Sequence, residues 1–231
     1  MGKDKLRRWA ENKAMPHVHE PELLPIIREG KTYLKGEWKE KVFGNNRSLI
    51  IELGCGKGEY TTGLARMYPE KNFLGVDVKG HRFHKGAREA QNEGLKNVAF
   101  LRTRIEFIES FFDANEVDEI WLTFSDPQPQ DKVGVRRMTS LHFAQKYRQF
   151  LAMGGLIHIK HDNPEVYRKA LLEFGNDNRY AIELHHNDIY NGFTNTLSEE
   201  WKHILEIRTY YESIWLKQGR ETKYIRIRQI K

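Results

Sequence analysis

The chain has 231 residues, a formal net charge of +6 and a sequence pI near 9.2, a basic balance that suits a polyanionic partner without specifying one. Its length accommodates one α/β domain with a full core, and no apolar run approaches the roughly 20 residues that a bilayer-spanning helix needs. A single cysteine, Cys55, excludes an intrachain disulfide and a Cys-based zinc site, and predicts a soluble protein of a reducing, cytoplasmic compartment.

Residues 1–21 carry Lys3, Lys5, Arg7 and Arg8 near Trp9, with Pro16 and Pro21 interrupting any long helix. A basic arm is expected there, with 1–44 as arm and lead-in segment ahead of one domain over 45–231. From Ser48 onward, short apolar runs alternate with amphipathic stretches, the pattern of βα units in a parallel sheet. Strands are predicted over 48–53, 72–78, 98–102, 119–123, 156–160 and 180–184. Helices are predicted over 60–67, 81–93, 140–150, 165–174 and 198–217, after which "TKYIRIRQI" alternates apolar and polar residues and makes a last strand. The expected fold is α/β and Rossmann-like, a mostly parallel central sheet with helices on both faces.

The first strand, in "SLIIELGCGKGEY", ends in Glu52 and runs into Gly54, Gly56 and Gly58 before a helix. Residues without side chains let backbone approach a ligand closely. A dinucleotide site carries G-x-G-x-x-G, whereas this loop is G-x-G-x-G preceded by an acid, which counts against a dehydrogenase. Asp77 ends the second strand, where a carboxylate can accept both hydroxyls of a ribose, and Glu52 could hold the cationic end of a methionine. Glu52, Gly54, Gly56 and Asp77 together suit S-adenosylmethionine as cofactor. The competing reading is a tight turn with Asp77 as a helix cap. Cys55 reads as a small buried loop residue, since no base is paired with it.

After the fourth strand comes "TFSDPQPQDK". Ligands of open α/β sheets bind beyond the carboxyl ends of strands, so Asp126 should face the same cofactor crevice as Gly54 and Asp77, with Pro127 and Pro129 stiffening the turn. An Asx turn is the plainer alternative. Asp162 follows the fifth strand in "IKHDN", and Thr209 and Glu212 of "RTYYE" stand one helical turn apart. Taken singly, Asp162 could be an N-cap and Glu212 a solvated helix acid. The histidines, His185 and His186 included, contain no H-x-x-x-H pair, and no metal is expected.

Together, "ELGCGKGEY", "FLGVDVKG", "FSDPQP" followed by "RRMTS", "KHDN", and "TYYE" with "KQG" after it resemble the bacterial tRNA (guanine-N7-)-methyltransferase family, a class I S-adenosylmethionine-dependent methyltransferase family, over roughly residues 45–231. The resemblance implies methyl transfer to N7 of guanine in tRNA, at guanosine 46 of the variable loop. It implies cofactor contacts from Glu52 and Asp77, Asp126 as the catalytic or base-positioning acid, and substrate contacts from Asp162 and from Thr209 to Glu212. Two departures stand out. The family usually has Trp after the Asp-Pro pair and Lys after the second Pro, where this chain has Gln128 and Gln130, and Lys132 could supply the missing charge. An acid that commonly follows the third strand is replaced by Arg104, with Glu106 two residues on. The basic arm with Arg136 and Arg137 would meet tRNA phosphates. The alternatives are an amino-group nucleic-acid methyltransferase, which generally wants an aromatic residue after the prolines, and a non-catalytic RNA-binding protein on the same scaffold.

Overall fold

The computed structural model describes residues 2–128 and 134–231; Pro129, Gln130 and Lys132 lie outside the described residues. In chain order the elements are α1 (Gly2–Lys13), β1 (Val18–His19), α2 (Leu23–Glu29), β2 (Leu49–Leu53), α3 (Glu59–Met67), β3 (Asn72–Asp77), α4 (Gly80–Asn92), β4 (Val98–Arg102), β5 (Val117–Thr123), α5 (Leu141–Tyr147), β6 (Leu151–His161), α6 (Pro164–Gly175), β7 (Tyr180–His186), α7 (Glu199–Glu206), α8 (Tyr210–Lys217) and β8 (Lys223–Gln229). The eight strands form one sheet in the order β1-β4-β3-β2-β5-β6-β8-β7. Strands β1 to β6 run parallel, and β8 lies antiparallel between β6 and β7. This is the mostly parallel α/β sheet expected from the spacing of the apolar runs.

The central strands read as nearly unbroken apolar runs because both of their faces are covered. Alternation along β2 sorts its side chains: Leu49, Ile51 and Leu53 enter one core with Trp38, Phe112, Phe143 and Phe150. Ile50 enters the other, with Phe73, Phe100 and Trp121 of the sheet packed on Tyr60, Leu64, Phe83 and Leu205. The chain moves outward from β2 through β3 to β4, then restarts on the other side with β5 and β6. That reversal opens a crevice beyond the carboxyl ends of β2 and β5.

The amino-terminal segment differs from a free arm. Residues 2–13 form α1, which docks on α4: the Asn12 side-chain amide donates to the Gly80 carbonyl at 3.0 Å, and Glu11 meets His84 at 2.5 Å. Met15 joins the second core, and β1 extends the sheet beside β4 with Val18 opposite Phe100. Pro16 therefore follows a helix instead of precluding one. The single helix expected over 198–217 is two. Thr209 ends the intervening bend as the N-cap of α8, its hydroxyl accepting the Glu212 N–H while the Glu212 carboxylate accepts the Thr209 N–H. That reciprocal pair is a capping box, and it starts a new helix in a new direction. Among the described residues no helix is long and apolar enough to cross a membrane.

Candidate active site

A crevice of about 1160 Å³ opens at the carboxyl edge of the sheet, and Gly54, Gly56, Asp77, Asp126, Asp162 and Thr209 all line it. These residues come from the ends of β2, β3, β5 and β6 and from the start of α8, so positions spread over more than 150 residues of sequence meet at one place. Glu52 and Glu212 do not line it.

The glycine loop has its shape for separable reasons. Gly54 and Cys55 donate their N–H groups to the Val76 carbonyl at 2.8 and 3.0 Å, which ties the loop to the end of β3. Gly56 has φ +57°, and a Cβ built on it would meet nothing within 4 Å, so bare backbone faces open space there. Gly58 serves packing instead: a Cβ there would lie 2.7 Å from the Phe100 ring and 3.4 Å from the Gly86 Cα, where α3 and α4 come together. Asp77 accepts the Gly56 N–H at 3.0 Å and the Lys79 N–H at 2.7 Å, one on each oxygen, which aims the carboxylate. Each oxygen keeps a further lone pair for a diol. An open glycine turn beside an oriented acid at the end of the second βα unit fits the ribose and methionine portions of S-adenosylmethionine. Cys55 is buried, and burial pushes its thiol well above the usual range, which disfavours the thiolate a nucleophile needs.

Glu52 was expected at the cofactor's methionine end, and the structure places it behind the crevice. On the buried second face of β2 it accepts the Thr61 N–H at 2.9 Å and the hydroxyls of Thr61 and Thr123. It thus ties the first turn of α3 to β5 under the glycine loop. Burial pushes its pKa up from 4.5 to about 7, more than its three hydrogen bonds lower it. Because the folded value lies above the unfolded one, the native state holds a proton that the unfolded chain has released between these two pH values. The contribution to stability is present below pH 4.5 and is lost as pH rises through 7, a change of about 3 kcal/mol. Glu52→Gln stays neutral and removes that loss. Urea unfolding across this range should show the variant gaining on the parent protein by about that amount. A stability difference that stays constant with pH would rule out a protonated buried Glu52.

The turn after β5 is strained. Phe124 has φ 50° and Gln128 φ 45°, left-handed conformations that cost a bulky residue roughly 1–3 kcal/mol. Neighbouring bonds hold the turn: the Phe124 N–H donates to the Lys160 carbonyl at 2.8 Å, and His161 Nε2 donates to the Ser125 carbonyl at 2.7 Å. Asp126 Oδ1 accepts the Gln128 N–H at 3.1 Å, so the Asx turn is present, and the same residue is exposed in the crevice. The turn is what points the carboxylate.

Asp162 accepts from Arg220 at 2.9 Å. Burial raises its pKa, but the contacts with His161 and Arg220 outweigh burial and hold the carboxyl below its usual range. Thr209 lines the crevice through α8's first turn. Glu212, expected among the substrate contacts, is fully buried: it meets Lys160 at 2.9 Å and accepts the Tyr190 hydroxyl at 2.8 Å. In this structure it is turned away from the crevice and fixes the turn that presents Thr209 and Tyr211. The T-x-x-E spacing of a capping box was the signal for this role.

Arg137, expected at tRNA phosphates, is 3% exposed and bonds Glu173 of α6, so it fastens the loop before α5 to the body of the domain. Arg7 and Arg8 pair with Asp4 on α1, and Arg7 also with Glu11. The crevice carries its own cations, with Lys57, Lys79, Arg82, Arg104 and Arg136 along it. Arg104 and Glu106 both line it beyond β4, 3.5 Å apart, so a carboxylate is present at this end of the crevice. Tyr211 falls within the Thr209–Glu212 stretch expected at the substrate, whereas Phe124, Trp215 and Lys160 were not singled out from the sequence, where such residues carry no distinctive spacing.

A family model described as "Putative methyltransferase" matches residues 46–225. The chain is 46% identical over 230 residues to a tRNA (guanine-N(7)-)-methyltransferase of Bacteroides thetaiotaomicron, covering 99% of this chain and 86% of that one. It is 43% identical to a protein of the same name from Christiangramia forsetii, covering 98% of each. Among solved structures, the 30S ribosomal A1408 methyltransferase from an uncultured bacterium superposes with a TM-score of 0.58 at 13% identity, over 81% of this chain and 90% of that one, a likeness of fold. With this glycine cradle, this row of acids and relatives so similar along nearly the whole length, the chain belongs to the tRNA (guanine-N7-)-methyltransferase family.

Proposed function

We propose that this protein methylates N7 of guanine in tRNA, at guanosine 46 of the variable loop, with S-adenosylmethionine as donor. The observation that carries this reading is the single crevice onto which the Gly56–Asp77 cradle and Asp126 both open. Guanine N7 has an exposed lone pair on the major-groove edge and no proton, so no general base is needed to generate the nucleophile. Bound S-adenosylmethionine supplies an electrophilic methyl group on a sulfonium. The residues of this chain then have two tasks, placement and charge.

Holding N7 in line with the donor is worth up to roughly 7–11 kcal/mol of the barrier. Asp126 accepts hydrogen bonds from guanine N1–H and N2–H, which orients the base and offsets the positive charge that develops on the purine. Lys57, Lys79, Arg82, Arg104 and Arg136 bring cations to phosphates flanking the target. A tRNA substrate and a lone reduced cysteine both fit a cytoplasmic setting. The test is methyl transfer from labelled S-adenosylmethionine to a tRNA transcript, and to the same transcript with guanosine 46 replaced. Transfer to the first and not the second is expected. Equal transfer to both would refute the assigned target.

A further inference from the structure

Three aromatic rings share the side of the crevice built by β5, β6 and α8. Tyr211 and Trp215 stand four residues apart on α8 and so face the same way, with centroids 5.9 Å apart and planes at 27°. Phe124 meets Trp215 at 5.4 Å from the strained turn that also carries Asp126. All three line the crevice; Tyr211 is exposed, and Phe124 and Trp215 are half-buried. Arg220, paired with Asp162, lies 5.9 Å from the Trp215 ring.

We infer that Phe124, Tyr211 and Trp215 form the wall on which the target guanine stacks, with Trp215 as its central ring; this rests on the methyltransferase reading above. The sheet order places the glycine cradle and Asp77 at the ends of β2 and β3, while Phe124 follows β5 and the other two rings stand on α8, where Tyr211 alone nears the glycine loop, 5.9 Å from the Lys57 ammonium. Phe124 and Trp215 therefore stand on the side of the crevice away from Asp77, the side left for the second reactant. Asp126 is two residues from Phe124, so a base lying against these rings has an acceptor within reach of its N1–H and N2–H edge. Stacking also suits the product, since a π face attracts the cationic purine more than the neutral one. The strain at Phe124 is consistent with a ring held for contact. Gln128 offers no ring directly after the Asp-Pro pair, and α8 supplies two to the same crevice.

The test is steady-state methylation of a tRNA transcript by Trp215→Leu and Trp215→Phe, with calorimetric binding of S-adenosylmethionine and thermal unfolding measured on the same samples. Stacking losses of this kind correspond to about 10- to 100-fold, so Trp215→Leu should lose that much in kcat/KM for tRNA. Its cofactor affinity and Tm should stay near those of the parent protein. Trp215→Phe, which keeps a stacking ring, should restore most of the loss. An unchanged kcat/KM in Trp215→Leu overturns the wall while leaving the functional reading intact. A loss that comes with equal loss of cofactor binding or of Tm makes Trp215 a packing residue and also overturns it. Failure of the parent protein to methylate tRNA overturns the functional reading on which the wall depends.

Discussion

Asp126→Ala lowers kcat/KM for tRNA by about 10²- to 10³-fold, with most of the loss in kcat and less than about a tenfold change in S-adenosylmethionine affinity. The magnitude is that of removing one preorganised group from the charge that develops in a transition state. Asp126 sits in the crevice on a turn held by the Gln128 N–H, so its position is set before any substrate arrives. Asparagine is no remedy. Its amide would set an N–H₂ donor against the guanine N1–H and N2–H donors, and it carries no charge to offset the cationic purine. Asp126→Asn is therefore expected to be at least as impaired as Asp126→Ala. Single-turnover methylation with saturating tRNA isolates the chemical step. A variant that keeps a third of the parent rate in that assay would show that placement by other residues suffices without Asp126.

The strands from β2 to β6 were legible as short apolar runs, because burial on both faces leaves little polar interruption, and β8 by its alternation of apolar and polar residues. The glycine loop, Asp77, Asp126 and Asp162 were legible for a related reason: a parallel sheet puts the residue after each strand at the same edge. What escaped notice depends on tertiary partners. Nothing local in "KDKLRRWAENK" says that α4 waits for Asn12 and Glu11, so α1 read as a free arm. Glu52 and Glu212 carry acids at the expected places, yet their neighbours, two threonines in one case and Lys160 with Tyr190 in the other, turn both inward. Arg137 read as a surface cation because its partner, Glu173, lies 36 residues away. An acid in a functional motif thus acts on a ligand or on the loop that meets it, and burial decides which.

Lys160 is the residue on which that loop most depends, and its replacement should have the largest effect on stability. Fully buried at the end of β6, Lys160 donates to the Leu205 and Ile207 carbonyls at 2.8 and 2.9 Å and meets Glu212 at 2.9 Å. Burial pushes its pKa down, while the Glu212 carboxylate acts in the opposite sense. It therefore caps the carboxyl end of α7 and anchors the first turn of α8 with one ammonium group. Lys160→Met leaves the Glu212 carboxylate buried without its counter-charge, at a cost of about 3–5 kcal/mol and a Tm lower by roughly 10 °C. Adding Glu212→Gln removes the stranded charge, and the double variant should recover about half the loss. The remainder belongs to the two carbonyls, which neither substitution satisfies. The cycle of single and double variants, read by urea unfolding, therefore has a large coupling between the two positions. A Lys160→Met protein within about 2 °C of the parent Tm, or additive single effects, would mean that the pair does not hold the turn. Because Thr209 and Tyr211 enter the crevice from that turn, the folded Lys160→Met protein should also show a raised KM for tRNA at temperatures well below its Tm.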